Sequence, residues 1–339
     1  MRMKSTRAGV SVILAISLLL TACGNGSQEQ ASNQTVNGNG AAEQSAQAST
    51  DGQKSGEAAA TRTITYLDKE YTLPAATERI VMAGAVEAME DAIVLGVNPV
   101  GAISFSGVFP PMFESITKNA VSIGEKTEPN FEAILGLKPD VILGSTKFKP
   151  EVSEKLESIA PTILYSHVST NWESNLLLLG ELAGKKKQAE DVIAQYKADL
   201  EDAKVKLADK LKDKKVVVIR VREGLMYVYP AGVYFNPILY HELGLQAPAE
   251  IQAAKAQEAL PIEKFAEMNP DYVFLQFAAE ENHDAPNALE EWKNNPIIKS
   301  SNAVKNGKVY INIVDPLAQG GTAYSKIAFL KAAVEQLSE

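Results

Sequence analysis

Two segments of the chain share one pattern of apolar and polar positions. Residues 129–143 read PNFEAILGLKPDVIL and residues 261–275 read PIEKFAEMNPDYVFL, with the Pro-Asp pairs 131 positions apart. In each segment a glutamate, Glu132 or Glu263, precedes helically spaced apolar residues, and the Pro-Asp pair opens a short apolar run. This pattern predicts a short helix, a stop at the proline and then a buried strand. Two similar units so far apart indicate two lobes built on one plan.

The pattern around the first repeat predicts an α/β lobe over residues 61–184. Alternating positions predict a hairpin at its start, and short apolar runs then alternate with helical patterns. The predicted strands are 79–84, 100–105, 140–145 and 162–167, and the predicted helices are 87–95, 111–118 and 150–159. Strands that alternate with single helices favour a mainly parallel sheet.

A long helical pattern follows, without a proline between residues 171 and 212. Apolar residues recur there at steps of three and four, namely Ile193, Tyr196, Leu200, Ala203, Leu207 and Leu211. The spacing predicts one amphipathic helix over 185–212, about 42 Å long. We therefore assign 185–213 to a rigid spine between the two lobes.

Residues 214–339 repeat the alternation of strands and helices and predict a second α/β lobe. The predicted strands are 215–224, 226–230, the apolar run of the second repeat and 309–313. The predicted helices are 236–244, 287–293 and 323–337, the first of them with Asn236 as its cap and Pro237 in its first turn.

The N-terminus has the pattern of an export signal rather than of a folded element. Basic residues precede an apolar run over 8–20, which is too short for a typical membrane span, and Leu20-Thr21-Ala22-Cys23 follows. Leu-x-Ala-Cys at this place resembles the bacterial lipoprotein signal, in which the cysteine is lipidated. Residues 24–60 are small and polar, so we expect 23–60 to be a lipidated cysteine followed by a disordered tether.

Composition narrows the functional classes. The chain of 339 residues is 45% apolar and 22% charged, enough to bury the cores of two domains. Its formal net charge of −9, without a long basic run, argues against a nucleic-acid partner. A single cysteine precludes an internal disulfide, and none of the three histidines pairs with another at metal-ligand spacing, so no metal cofactor is expected.

Several segments carry a resemblance to a known family. Beside the lipoprotein signal and the tether they are YLDKEYTLP, PNFEAILGLKPDVILGSTKF, RVREG, FNPILY and VDPLAQGGTAYSK. Together they resemble the Feu-type siderophore-binding lipoproteins of Gram-positive iron-uptake ABC transporters, over nearly all of residues 60–339. The resemblance implies a class III periplasmic-binding-protein fold, with two Rossmann-like lobes joined by a single long rigid helix. It also implies a monomer at the extracytoplasmic face of the membrane, which binds a ferric catecholate, needs no other cofactor, and delivers its ligand to an ABC permease.

Cations occur at the places where such a ligand would bind. Arg220 and Arg222 are two residues apart at the end of a predicted strand, so they point to the same face. Ligands of open α/β sheets bind beyond these strand ends. By resemblance, five residues line the cleft from both lobes, with Gln257 as a further donor: Lys126, Lys147, Arg220, Arg222 and Lys255. A compact aromatic trianion suits such cations.

One residue departs from the family pattern. Glu223 follows the second arginine, where the family would have a neutral polar residue. A carboxylate near an anion site lowers affinity unless it pairs with an arginine. Either Glu223 turns away from the cleft, or the ligand differs from the usual one.

The repeated glutamates have two possible roles. A glutamate in the first turn of a helix is stabilised by the helix dipole, by roughly 0.3–1 kcal/mol. By resemblance, Glu132 and Glu263 instead dock on arginines of the permease, one from each lobe. The equivalent position in both lobes favours docking.

Three rival functions remain open. An extracytoplasmic enzyme is disfavoured because the sequence holds no Gly-x-Ser-x-Gly, His-Glu-x-x-His or phosphate-loop motif. A receptor for a bare metal ion would need clustered histidines and carboxylates. A receptor for a hydroxamate siderophore, haem or cobalamin is the nearest alternative, because those ligands need fewer cations.

Overall fold

The computed structural model describes residues 60–338, which form two five-stranded sheets, a two-stranded hairpin and the helices around them. The predicted signal peptide at 1–22, Cys23 and the tether up to residue 59 lie outside the described residues. Within residues 60–338, no helix combines the length and the apolar character needed to cross a membrane.

The hairpin at the start of the described chain consists of β1 (Thr61–Tyr66) and β2 (Lys69–Pro74), paired antiparallel. Its turn residues, Leu67 and Asp68, both have positive φ, as a two-residue hairpin turn requires. The Tyr66 hydroxyl donates to Asn175 at 2.5 Å and accepts from the Ser166 amide, which attaches the hairpin to the first lobe. The predicted hairpin is confirmed.

The first large sheet is entirely parallel. Its order is β5-β4-β3-β6-β7, and its strands are β3 (Ile80–Met82), β4 (Gly101–Ala102), β5 (Val121–Ser122), β6 (Val141–Ser145) and β7 (Thr162–Tyr165). The helices between them are α1 (Val86–Leu95), a 3-10 turn (Pro111–Phe113), α2 (Glu114–Thr117), α3 (Phe131–Gly136) and α4 (Pro150–Glu157). Every predicted element is present, and the two-residue strand β5 is one that the sequence pattern did not reveal.

Two antiparallel helices follow the first sheet. The helix α5 (Trp172–Leu182) was not predicted, because four consecutive leucines at 176–179 obscure the spacing of its apolar stripe. The helix α6 (Lys186–Leu211) confirms the predicted amphipathic helix to within one residue and is about 39 Å long. Its buried residues are Ala189 and the six that the spacing identified.

The second large sheet has the order β10-β9-β8-β11-β12. Its strands are β8 (Val216–Arg222), β9 (Leu225–Val228), β10 (Glu258–Ala259), β11 (Tyr272–Phe277) and β12 (Val309–Ile311). The strands β8, β11 and β12 run parallel, whereas β9 pairs antiparallel with both β8 and β10 at one edge.

Short helices cover this second sheet. They are a π-helix (Pro237–Glu242), α7 (Ala249–Ala253), α8 (Ile262–Met268), a 3-10 turn (Ala279–Glu281), α9 (Ala288–Asn294), α10 (Pro296–Lys299) and α11 (Asn302–Lys305). The prediction that Asn236 caps the π-helix is wrong. Its side chain makes no cap and instead donates to the carbonyls of Tyr229 and Pro230, because a buried amide must satisfy its own donors.

The sequence repeat is also a structural repeat. The residue before each Pro-Asp pair, Lys138 or Asn269, has a positive φ and ends the helix before it. Each aspartate then accepts a backbone N–H just before the neighbouring strand: Asp140 from Arg79 at 2.8 Å and Asp271 from Lys215 at 2.9 Å. The Pro-Asp pair therefore aligns two parallel strands in each lobe.

The last helix, α12 (Ala323–Ser338), contacts both lobes. Near its start the Ala323 amide donates to Asp91 of α1, in the first lobe, at 2.9 Å. Farther along, the Phe329 ring packs against Phe235 and Phe274 of the second lobe. Because α6 and α12 both join the lobes, their relative position is held by more than one helix.

Candidate functional site

A cavity of about 1070 Å³ lies at the carboxyl ends of the parallel strands of the two large sheets. Its walls come from segments that follow strands of each sheet, such as Lys147 after β6, His167 after β7 and Glu281 after β11. Parallel strands end at one edge of a sheet, so the side chains beyond them converge there. Of the six residues predicted to bind the ligand, five line this cavity: Lys126, Lys147, Arg220, Arg222 and Gln257.

The two arginines of β8 share one carboxylate. Arg220 donates from Nε and Nη2 to the two oxygens of Glu281, at 2.8 and 2.7 Å. The Nε atom of Arg222 lies 3.3 Å from Oε1 of the same glutamate. The Arg220 side chain is only 10% exposed and that of Arg222 is 35% exposed, so Arg222 presents more of its charge to the cavity.

Parallel pairing explains how Glu281 reaches the arginines. In the register of β11 with β8, Gln276 lies beside Arg220 and Phe277 beside Val221. The chain then turns through Ala279–Glu281 and returns over the end of β8. The pattern of β8 predicted that both arginines lie on one face, but no local pattern links Arg220 to a residue 61 positions away.

A second contact fixes Arg222 from the opposite side. Its Nη1 donates to Oε1 of Gln257 at 2.9 Å, and the Tyr229 hydroxyl donates to the same oxygen at 3.0 Å. Gln257 therefore orients the guanidinium of Arg222, and its own side chain lines the cavity. The role of Gln257 as a donor to the ligand stays a prediction, and the structure adds this orienting contact to Arg222.

Lys126 and Lys147 supply the cations of the first lobe. Lys126 donates to Oε1 of Gln319 at 3.2 Å, and burial lowers the pKa of its ammonium group, as does the nearby Lys147. Lys147 lies 3.3 Å from the buried carboxylate of Glu87 and keeps 47% of its side chain exposed. Both lysines can reorient toward a bound anion, because neither is fixed by a two-pronged contact.

His167 also lines the cavity, although the sequence offered no reason to select it. Its Nδ1 lies 2.7 Å from the Thr146 hydroxyl. Partial burial, together with the charge of Lys147, lowers the pKa of the imidazole below its ordinary value. The ring is therefore neutral at pH 7 and contributes a hydrogen bond rather than a charge.

Aromatic side chains complete the wall. Phe105 and Phe109 line the cavity from the first lobe, and Tyr229 and Tyr234 from the second. The Arg220 guanidinium lies over the Tyr234 ring, 5.2 Å from its centroid. Tyr234 has a left-handed backbone, with φ of +62°, and its buried hydroxyl has no hydrogen-bond partner among the described residues. Such a wall suits a ligand with aromatic faces.

The segment between β12 and α12 closes the back of the cavity. Gln319 and Gly321 line it, and a Cβ on Gly321 would collide with Ser169 of the first lobe. The backbone amide of Gln319 donates to the buried carboxylate of Glu90 in α1 at 2.7 Å. This attachment places the Gln319 side chain where it accepts from Lys126.

Buried carboxylates hold this segment to the first lobe. Glu90 accepts from the hydroxyls of Thr322 and Ser325, and Asp91 accepts from the Tyr165 hydroxyl at 2.7 Å. Burial raises the pKa of Glu90 to about 7 and that of Asp91 to about 8, although these hydrogen bonds oppose the rise.

Two predicted features lie outside the cavity. Lys255 is exposed in the loop before β10 and is not among the cavity-lining residues, so its role stays a prediction. Glu223 is exposed as the first residue of the two-residue turn between β8 and β9, with φ of +51°. Of the two alternatives for Glu223, its position supports a side chain that turns away from the cavity.

Glu132 and Glu263 occupy equivalent exposed positions. Each lies in the first turn of its helix, α3 or α8. Neither forms an ion pair within the part of the chain that the structure describes. The two carboxylates are therefore accessible to a partner, and their docking role stays a prediction.

Comparison with known proteins places these features in a family. A family model described as periplasmic binding protein matches residues 90–312. The iron-uptake system-binding protein of Bacillus subtilis is 53% identical over 328 residues, which cover 97% of this chain and 97% of that protein. The probable siderophore-binding lipoprotein YfiY of the same organism is 28% identical and covers 91% of this chain and 90% of its own length.

A solved structure agrees with the sequence comparison. The triscatecholate siderophore-binding protein FeuA from Bacillus subtilis, complexed with ferri-bacillibactin, is 55% identical with a TM-score of 0.77. The match covers 81% of this chain and 98% of that structure. The predicted class III fold and the resemblance to Feu-type proteins are confirmed. With a family model that spans about two thirds of the sequence and a relative aligned over nearly its whole length, the chain belongs to the periplasmic binding protein family.

Proposed function

We propose that this protein captures a ferric tris-catecholate siderophore in the cavity between its lobes and delivers it to an ABC permease for iron uptake. The observation that carries the proposal is the convergence of cations from both lobes on one aromatic-walled cavity. Lys126 and Lys147 come from the first lobe, and Arg220 and Arg222 from the second. The FeuA structure, which shares this fold and holds ferri-bacillibactin, supports the same ligand class.

The chemistry of the ligand fits this wall. A ferric tris-catecholate carries about three negative charges on a compact body of aromatic rings, so charge-assisted hydrogen bonds and ring contacts bind it together. No group of three or more histidine, cysteine, aspartate or glutamate side chains within residues 60–338 could hold a metal ion. The cations in the wall and the ferri-bacillibactin held by FeuA both support entry of iron as the complex and not as a bare ion.

The finer assignments belong to the same proposal. Residues 61–184 and 214–339 act as two lobes and 185–213 as their spine. Lipidation at Cys23 anchors a monomer at the outer face of the membrane, and Glu132 and Glu263 dock on the permease. Support comes from the signal pattern, from a relative named as a lipoprotein, and from the equivalent exposure of both glutamates.

A titration separates this function from its nearest rival. The protein is titrated with a ferric tris-catecholate and, in parallel, with an uncharged ferric hydroxamate, while the fluorescence of Trp172 and Trp292 is recorded. We expect tight binding of the catecholate and weak binding of the hydroxamate. If the hydroxamate binds as tightly, a receptor for neutral siderophores replaces the proposal, and if neither complex binds, iron-siderophore capture is excluded.

A further inference from the structure

The charges of the side chains that line the cavity cancel, although the proposed ligand is an anion. Among the described residues, two lysines, two arginines and four glutamates line it. The glutamates are Glu87, Glu125, Glu280 and Glu281. A ligand with about three negative charges would gain most from an excess of cations, and each carboxylate in the wall opposes its binding.

Glu281 differs from the other three glutamates in what it contacts. Glu125 accepts from the backbone amides of Ser106 and Gly107, at 3.1 and 2.9 Å, and so serves its own loop. Glu87 faces Lys147, which is half exposed and can leave it. Glu281 alone among them holds an arginine by a two-pronged contact while a second arginine approaches within 3.3 Å.

We propose that Glu281 is a counter-ion that sets the affinity and the charge selectivity of the cavity. The carboxylate and the two arginines of β8 together carry a net charge of +1 instead of +2. An anion at Arg222 therefore meets a repulsive charge directly behind the guanidinium. This inference rests on the proposed function, because it assumes an anionic ligand.

The backbone around Glu281 does not depend on its carboxylate. The next residue, Asn282, is buried and donates to the carbonyls of Val221 and Ala278 at 2.9 and 2.8 Å. Its Oδ1 accepts from the Gly224 amide at 3.1 Å, and the Glu281 carbonyl accepts from the Glu223 amide at 3.0 Å. These bonds hold the turn against the β8–β9 hairpin whatever side chain stands at 281, so the carboxylate can be removed without loss of the turn.

The distance between Glu281 and an anion bound at Arg222 sets the size of the expected change in affinity. An oxyanion bound at Arg222 would lie about 6 Å from the Glu281 carboxylate, where one pair of like charges weakens binding roughly a hundredfold at an effective dielectric constant of about 20, and less where solvent and salt screen the pair. Glutamine keeps an oxygen for Arg220 and removes only the charge. A neutral ligand at the same place would not respond to this change.

The test compares Glu281→Gln with Glu223→Gln in the full-length protein. Glu223 is exposed in the turn that follows Arg222 and does not line the cavity, so its replacement removes the same charge near the same end of β8. We expect Glu281→Gln to bind a ferric tris-catecholate at least about tenfold more tightly and to lose affinity more steeply with added salt. Glu223→Gln should change affinity by less than about threefold, and uncharged ferric hydroxamate binding should stay within about twofold in both variants.

The outcomes separate the two proposals. If the parent protein does not prefer the catecholate over the hydroxamate, the proposed function fails. If the parent shows that preference but Glu281→Gln binds the catecholate equally or more weakly, the counter-ion role is refuted. Equal tightening in Glu223→Gln would also refute it, since net charge alone would then explain the gain. Should Glu281→Gln not fold, Glu281→Ala replaces it, with the same expected tightening and the same refuting results.

Discussion

Replacing Arg222 by alanine should weaken binding of a ferric tris-catecholate without unfolding the protein. Its side chain is 35% exposed and presents its charge to the cavity. Losing one charged hydrogen-bond partner costs about 1.5–3 kcal/mol, or roughly 10- to 150-fold in affinity. The structure also explains why stability should persist: Glu281 keeps both contacts to Arg220, and Gln257 keeps the hydrogen bond from Tyr229.

Alanine at Arg220 should affect folding stability more than alanine at Arg222 does. Its side chain is 10% exposed and bound on two atoms by Glu281. Replacing it with alanine would leave a largely buried carboxylate with only Arg222 nearby, which should cost up to about 3–5 kcal/mol of folding stability. Arg220→Ala should therefore lower the melting temperature by several degrees, whereas Arg222→Ala should leave it nearly unchanged.

The assay is a fluorescence titration of each variant, paired with thermal unfolding. Arg222→Lys should recover only part of the affinity, because an ammonium group cannot make a planar two-pronged contact. Lys206→Ala, which removes one exposed cation from α6 outside the cavity lining, serves as the control and should bind like the parent. Unchanged catecholate affinity in Arg222→Ala would refute the assignment of this arginine to the ligand.

Three further outcomes are expected. Cys23→Ala should release the protein from the membrane fraction, because stable anchoring needs the lipid group that the lipoprotein signal directs there. The double variant Glu132→Ala with Glu263→Ala should bind ligand within about twofold of the parent but support less iron uptake by cells, and charge reversal at both sites should reduce uptake further. Thermal stability should fall between about pH 4 and pH 8, since Glu90 and Asp91 have folded-state pKa values of about 7 and about 8, above their ordinary values.

The sign of the pH effect follows from which state binds protons more tightly. A carboxyl whose folded-state pKa is raised stabilises the fold fully below its unfolded-state pKa, and this stabilisation is lost as the pH rises through the folded-state value. Glu90→Gln should flatten the profile, because the amide does not ionise. A melting temperature that rises from pH 5 to pH 8 in the parent would contradict the prediction. Retention of Cys23→Ala on salt-washed membranes would contradict the anchoring prediction. Normal iron uptake by the variant with Glu132→Ala and Glu263→Ala would contradict the docking prediction.

Much of the fold could be predicted because its signals are local. The helical spacing of Ile193, Tyr196 and Leu200 predicted α6, since a helix buries one stripe whatever it packs against. The repeated Pro-Asp pairs predicted both αβ units. The helix α5 escaped prediction because Leu177 falls on the face that carries Glu173 and Glu181, so its apolar stripe has no clear edge.

Some residues of the candidate site could likewise be predicted from a local pattern, and others could not. The alternation along β8 was enough to place Arg220 and Arg222 on one face, and both line the cavity. Residues that follow other strand ends had no local pattern of their own. His167 and Tyr229 could be identified only as members of a wall that the two sheets build together.

By itself, the sequence determined the two lobes, the spine helix and the cationic strand, because hydrophobic periodicity and residue order are properties of neighbouring positions. Only the tertiary structure decided which charges face one another. Glu281 reaches Arg220 because β11 pairs in parallel with β8, and Gln319 reaches Lys126 across 193 residues because Glu90 holds its backbone. Such contacts depend on strand register and on buried hydrogen bonds between distant segments, and so the electrostatic balance of the cavity is a property of the folded chain.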